Sequence, residues 1–340
     1  MTTRRTLLRQ AGFGALAAQA GYILVPEARG QTPTLRVKYD WLMSNGQIGD
    51  VVALKRNLFE EAGFKVEFIP GGPNSATVPP VTSGQALLGQ FSSSTQAMNA
   101  VAAGLPIKMI ATGYRTAPFA YFSLSSKPVR KPEDLIGKRI GTQPTARFAT
   151  DALIKKYRLD PAKIEIVNMG FDMTPLVAGQ IDVATGWITN TKALSVIGPQ
   201  RVDFLIKEAG VINYGNVYFA SNEAVAKSPE PIAKFLAAVA RGWEWSHANR
   251  AAAVDIMCDA YEQLERPIEH QTVDTIMKLS FDADTKANGW GWFDPKIIQE
   301  SIDLFASVGY FQDKKVPALG DLMTTQFLDA TAAVRARLTA

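Results

Sequence analysis

The residues able to do chemistry here stand at the ends of apolar runs rather than in one compact motif. Asp40 and Trp41 close the alternating stretch 34–40, and Asn45 and Gln47 follow in the next turn. Ser92, Ser93, Ser94 and Thr95 immediately precede an apolar helical run, and Thr142, Gln143, Thr145 and Arg147 follow Gly141 and open another. A helix start leaves backbone N–H groups unpaired. Hydroxyls there can cap the helix or hold a carbonyl or anionic group of a ligand. Capping alone explains one hydroxyl, not four. Arg147 is a candidate clamp for a carboxylate, phosphate or sulfonate, with a solvated helix arginine as the plain alternative. Trp41 and Trp187 offer flat apolar faces on which a heterocycle could stack, one from each half of the chain, with core packing as the competing reading. Asn190 follows Trp187. Tyr214 and Asn216 fall where the chain returns between the two halves. Asp40 could receive a ligand amine or form a salt bridge.

Several chemistries find no support. Gly71-Gly72-Pro73-Asn74-Ser75 is a glycine-rich loop without the Lys-Ser/Thr ending of a nucleotide phosphate loop, so Asn74 is a candidate for a solute cleft and not for ATP. There is no His-Glu-x-x-His, no cysteine pair and no Gly-x-Ser-x-Gly elbow. Scattered catalytic residues escape such a search, so this lowers the enzyme reading without eliminating it. The expectation is a non-enzyme with no cofactor and no metal. Cys258, the sole cysteine, reads as a buried helix residue.

Stepping along the chain, strands are expected at 34–40, 65–69, 85–91 and 107–114, with helices at 49–62 and 96–103 between them. The pattern then restarts with strands at 121–125, 138–141, 164–168 and 181–185 and a helix at 145–157. After a strand at 218–221 the texture turns helical: 230–248, 250–263, 268–277, 295–307 and 319–336, with Pro231, Pro267 and Pro295 near helix starts. Strand–helix–strand rhythm implies crossover units on mostly parallel sheets. The expected organisation is α/β and two-lobed: residues 31–118 and 215–340 form one lobe and 119–214 the other. A ligand cleft lies between them, and the crossings act as a hinge.

The first thirty residues differ from the rest. Arg4-Arg5, then Leu7, Leu8 and Arg9, precede a small-residue apolar stretch ending near Ala28-Arg29-Gly30. This order resembles a twin-arginine export signal, removed before Gln31. The chain carries a net +4, and this segment alone holds four arginines against one glutamate. The remainder is close to neutral and lacks the concentrated basic footprint that nucleic-acid binding needs.

Several segments carry a family resemblance. Phe59-Glu60-Glu61-Ala62-Gly63-Phe64 leads into a strand, Ser83-Gly84-Gln85-Ala86 is a helix-to-strand turn, and Lys131-Pro132-Glu133-Asp134-Leu135-Ile136-Gly137-Lys138 opens the second lobe. Val177-Ala178-Gly179-Gln180-Ile181-Asp182 and Gly291-Trp292-Phe293-Asp294-Pro295 complete the set. Together these resemble the periplasmic solute-binding proteins of ABC importers, in the thiamine-precursor, riboflavin and sulfonate/taurine branch. The resemblance implies the type II two-lobed fold, a small-molecule solute, and an inner-membrane permease served by a separate ATPase. A pyrimidine-like heteroaromatic solute is the first expectation; a sulfonate, taurine-like or aromatic carboxylate solute is the alternative, and a secreted enzyme on the same fold is the rival class. The pyrimidine branch tends to carry Trp-x-Pro-Asn-x-x-His-x-Gly. Here Trp41 and Gly49 fit, but Met43, Ser44 and Gln47 replace the Pro, Asn and His.

Overall fold

The structure, a computed structural model, describes residues 32–72 and 75–336. The export signal expected at 1–30 lies outside the described residues, as does Asn74.

Among the described residues, ten strands form two five-stranded sheets. The first contains β1 (Thr34–Tyr39), β2 (Lys65–Ile69), β3 (Leu88–Ser93), β4 (Ile107–Tyr114) and β10 (Gly215–Ser221), in the order β2-β1-β3-β10-β4. The second contains β5 (Phe119–Leu124), β6 (Arg139–Thr142), β7 (Glu165–Asn168), β8 (Val183–Trp187) and β9 (Arg201–Leu205), in the order β7-β6-β8-β5-β9. Both sheets are mixed but mostly parallel in strand direction, as expected: in each, four strands run the same way and the strand arriving from the other half, β10 or β5, inserts antiparallel. The reason is topological: β5 and β10 enter directly from the opposite lobe, without the crossover helix that a parallel neighbour needs.

The expected 49–62 helix is two pieces, Ile48–Lys55 and Leu58–Glu61, because Asn57 takes a left-handed backbone (φ 58°) between them. The expected 319–336 helix is interrupted: Met323 forms a parallel bridge to Met109, extending the pairing of β4, before the Gln326–Ala336 helix begins. Edge strand β9 belongs to a stretch, 188–209, that sequence patterning left unread.

The long C-terminal helices pack on the first lobe. The Pro229–Ala248 helix crosses Ile48–Lys55 so closely that a Cβ on Gly242 would lie 2.2 Å from the Gly49 carbonyl oxygen. At the bottom of this contact Asp50 is fully buried. Its carboxylate accepts the hydroxyls of Tyr39 and Tyr218 (2.7 Å each) and the indole N–H of Trp243 (2.9 Å), joining β1, β10 and two helices. Burial pushes its pKa up to about 6 against the lowering effect of those donors. Cys258 is buried in the Arg250–Ala260 helix. No helix among the described residues is long and apolar enough to cross a membrane.

Candidate functional site

The C-terminal ends of β1 and β3 form the first lobe's rim, and one carboxylate organises it. Asp40 accepts the Ser92 N–H (2.7 Å), the Ser92 hydroxyl (2.9 Å) and the Gln96 amide (3.1 Å). Burial raises its pKa and these donors oppose the rise. Asp40 is thus saturated by the protein and serves as a strut, not as a free acceptor for a ligand amine. The same strand end is held by Gly71 N–H to the Trp41 carbonyl (2.8 Å) and Gly72 N–H to the Asp40 carbonyl (3.1 Å). A side chain at Gly71 would sit 2.3 Å from the Asp40 backbone, so only glycine permits this approach. Trp41 is the product of this scaffolding: a ring on a locked loop, 38% exposed.

The four hydroxyls before the Ser94–Ala102 helix all have partners inside the protein. Ser92 serves Asp40. Ser93 caps the helix, its Oγ accepting the Thr95 N–H (3.3 Å) and the Asn213 amide (2.9 Å), while Gln96 Oε1 accepts the Ser93 N–H. Ser94 is fully buried, its Oγ accepting the Tyr214 N–H (3.1 Å) and its N–H donating to the Tyr214 carbonyl (2.9 Å). Thr95 Oγ1 and Ser93 Oγ are hydrogen-bonded to each other at 2.8 Å. The N–H groups of Ser93, Ser94 and Thr95, which an anion would need, are therefore spent.

The crossings between lobes run from β4 to β5 and from β9 to β10, joined by Ala117 N–H to the Asn213 carbonyl (2.7 Å). Arg115 braces the first crossing. Its guanidinium donates to Asp282 (3.0 Å), Asp284 (2.8 Å) and the Trp292 carbonyl (2.5 Å), and lies over the rings of Tyr214 and Trp292. Tyr214 is fully buried, its hydroxyl oxygen accepting the Asp294 N–H (2.9 Å). Asn216 is buried in a left-handed conformation and donates to the Gly46 carbonyl (2.7 Å), pinning the 3-10 turn Asn45–Gln47. Gln47 is buried and donates to Gln90 (2.8 Å). Tyr214, Asn216, Gln47 and Ser94, expected to reach a ligand, instead direct their polar atoms into the hinge and the first lobe. Asn45 is half-buried and lines the same small cavity as Glu269, whose carboxyl pKa is raised by burial.

On the second lobe, Thr142 is buried and accepts the Thr185 hydroxyl (2.7 Å), so its side chain also turns inward. Thr145 lies in the turn Pro144–Ala146. Arg147 is exposed and faces Asp151 at 3.6 Å, the plain helix-arginine alternative. Trp187 is partly buried against the core, and Asn190 is exposed beyond it. The ring meeting Trp41 is not Trp187 but Phe171, on the loop after β7, with ring centroids 6.1 Å apart. Sequence reading missed Phe171 because it belongs to no periodic element; its one signal is an aromatic between Gly170 and Asp172. The lobes also meet where Thr191 and Thr272 share a hydroxyl hydrogen bond (2.6 Å), where Lys192 pairs with Glu265, and where Phe148 lies against Phe305 and Tyr310.

Two mixed five-stranded sheets joined by two crossings, with polar strand ends between them, define the two-lobed periplasmic-binding-protein fold. The putative sulfonate-binding protein SsuA of Methylobacillus flagellatus shares it, with a TM-score of 0.67 at 16% identity over 90% of this chain and 95% of that one. The NMT1/THI5-like family model matches residues 45–253, more than half of the chain, and the chain belongs to that family. A formylaminopyrimidine-binding protein of Halalkalibacterium halodurans is 23% identical over 263 residues, 75% of this chain and 79% of that protein. A 4-amino-5-hydroxymethyl-2-methylpyrimidine phosphate synthase of Legionella pneumophila is 24% identical over 217 residues, 60% of this chain and 69% of that one. The family thus holds both receptors and enzymes.

Proposed function

We propose that the protein is an exported solute receptor of an ABC-type importer, acting in the periplasm and closing residues 119–214 over residues 31–118 and 215–340 around a small heteroaromatic solute. The observation that carries this is the meeting of the two lobes: Trp41 reaches Phe171 from loop to loop, and Thr191 reaches Thr272 from helix to helix. A receptor needs such contacts because a ligand stabilises closure only through its preference for the closed form. The closed form then docks on an inner-membrane permease, with ATP hydrolysed by a separate subunit. The relationship to a pyrimidine-binding protein supports the solute class. Local chemistry favours it over a sulfonate: the helix-terminal N–H groups at Ser93–Thr95 are spent and Arg147 faces Asp151.

Titration calorimetry on the protein purified from its native host tests this, with 4-amino-5-hydroxymethyl-2-methylpyrimidine and taurine as probes. The expected result is saturable binding of the pyrimidine at micromolar concentration or below, with native mass spectrometry releasing it unchanged. Binding of taurine but not of the pyrimidine overturns the solute class. Conversion of the pyrimidine to a product of different mass overturns the receptor in favour of an enzyme.

A further inference from the structure

We infer that Trp41 and Phe171 form the seal of the interlobe cleft: the two rings meet each other directly and retain the solute behind them, rather than sandwiching it. The inference rests on the receptor reading above and adds to it the residue that shuts the mouth. Three observations carry it.

The first is spacing. The centroids lie 6.1 Å apart with planes inclined at 53°, a separation typical of two aromatic side chains in direct contact. A flat solute stacked between them needs van der Waals distance on each face, about 7–8 Å between parallel rings. Neither the gap nor the tilt accommodates one.

The second is exposure. Trp41 is 38% and Phe171 is 56% exposed even in this contact, and Leu42 beside them is 53% exposed. A ring that held the solute from inside would be covered by the lobes. These rings stand at the outer edge, where water meets the cleft.

The third is how each ring is presented. Trp41 stands on the loop fixed by Asp40, Gly71 and Gly72. Phe171 stands on a loop fixed at three points. Met169 N–H bonds the Thr142 carbonyl (3.1 Å), the Gln143 amide donates to the Gly170 carbonyl (3.2 Å), and Asp172 accepts both the N–H (2.9 Å) and the hydroxyl (2.7 Å) of Thr174. Flexible loops would bring these rings together by chance. Anchored loops bring them together whenever the lobes close.

The test is thiol cross-linking between the lobes, followed by uptake. The only native cysteine, Cys258, is buried in a helix of the first lobe, so cross-links report the introduced pairs. Two double variants are compared: Trp41→Cys with Phe171→Cys at the mouth, bridged by a reducible bis-methanethiosulfonate reagent long enough to replace two facing rings, and Thr191→Cys with Thr272→Cys at the flank, where the side chains touch and mild oxidation suffices. The expected result is that both pairs cross-link, while each single variant does not. Uptake of 4-amino-5-hydroxymethyl-2-methylpyrimidine by the cross-linked, initially empty mouth variant slows at least a hundredfold and recovers on reduction. Cross-linking at the flank but not at the mouth overturns the seal and leaves the receptor reading standing, as does uptake unaffected by a bridged mouth. Failure of both pairs to cross-link shows that the lobes do not close as described, and removes both readings together.

Discussion

The two lobes share one plan and fill it differently. In each sheet a parallel trio (β2-β1-β3 or β7-β6-β8) is followed by an antiparallel strand from the other lobe and then by an edge strand. In the first lobe the sheet is tied to its helices by an ion: Asp50 accepts two phenols and an indole with no access to water. In the second lobe the buried ties are neutral hydroxyls, Thr185 to Thr142 between strands and Tyr121 to Thr150 on a helix, and the ionic tie of Asp182 to Arg139 and Lys127 has solvent-exposed partners. An ionised acceptor makes stronger hydrogen bonds than a neutral one, and a buried unmade bond costs more still. The first lobe, also covered by the long C-terminal helices, is thus built as a fixed body. The second is a lighter part suited to swing against it.

The comparison breaks most visibly at Asp50. Asp50→Ala leaves two tyrosine hydroxyls and the Trp243 N–H without their acceptor in a dry interior, and opens a cavity. The expected loss of stability is about 3–5 kcal/mol, enough to threaten folding. Urea denaturation followed by tryptophan fluorescence measures it. A loss below about 1 kcal/mol would mean that the carboxylate does not hold the lobe together.

Next in size is a dependence on pH. Burial raises the folded-state pKa of Asp50 from 3.8 to about 6. The folded protein therefore binds a proton more tightly than the unfolded chain between those values. For this group, stability is highest below about pH 4 and falls as pH rises to about 6. By linkage the change is about 3 kcal/mol. Other carboxylates work the opposite way: Asp182, held by Arg139 and Lys127, has its pKa lowered and stabilises the fold as pH rises. The clean readout is the difference between the natural protein and Asp50→Asn, measured from pH 4 to pH 7. The natural protein should lose stability relative to the variant across this window. A flat difference would sink the assignment.

These buried carboxylates mark the boundary of what sequence patterning can reach. Strands such as 65–69 and 107–114 were legible because apolar runs bounded by glycine and proline leave few alternatives. The restart of the pattern after residue 118 coincides with β5, the first strand of the second sheet. Asp50 reads only as an acidic residue in the first turn of a helix, and nothing local says that Trp243, far along the chain, will cap it. The hydroxyl run at Ser92–Thr95 was visible, but its use was not. Whether a hydroxyl faces a ligand or a neighbouring strand depends on Asp40 and on Asn213 and Tyr214, which arrive from two other segments. Strand β9 escaped because Arg201–Leu205 is a short edge strand with only two buried positions, Val202 and Phe204. Side-chain roles at a cleft are set by partners distant in sequence, whereas strands and helices are set by neighbours.

The smallest effect sharpens the comparison from the second lobe. Thr185 donates to the Thr142 hydroxyl (2.7 Å) and lies 3.3 Å from the Gly141 carbonyl, all at the inner end of β6. Thr185→Val removes one neutral donor at nearly constant volume, at an expected cost of about 1 kcal/mol. Thr142→Val in the same background removes the acceptor that the first change left unpaired. The double variant should therefore lose less than the sum of the single losses, by about 0.5–1 kcal/mol in a double-mutant cycle. Thermal unfolding of the four proteins supplies the cycle. A loss at Thr185 matching that at Asp50 would mean that the two lobes are braced alike, and the division into a fixed and a lighter body would fall. A loss near 1 kcal/mol with measurable coupling keeps it, because a lobe whose buried ties are weak neutral bonds can open and close without disturbing the lobe braced by a buried ion, on which Trp41 stands.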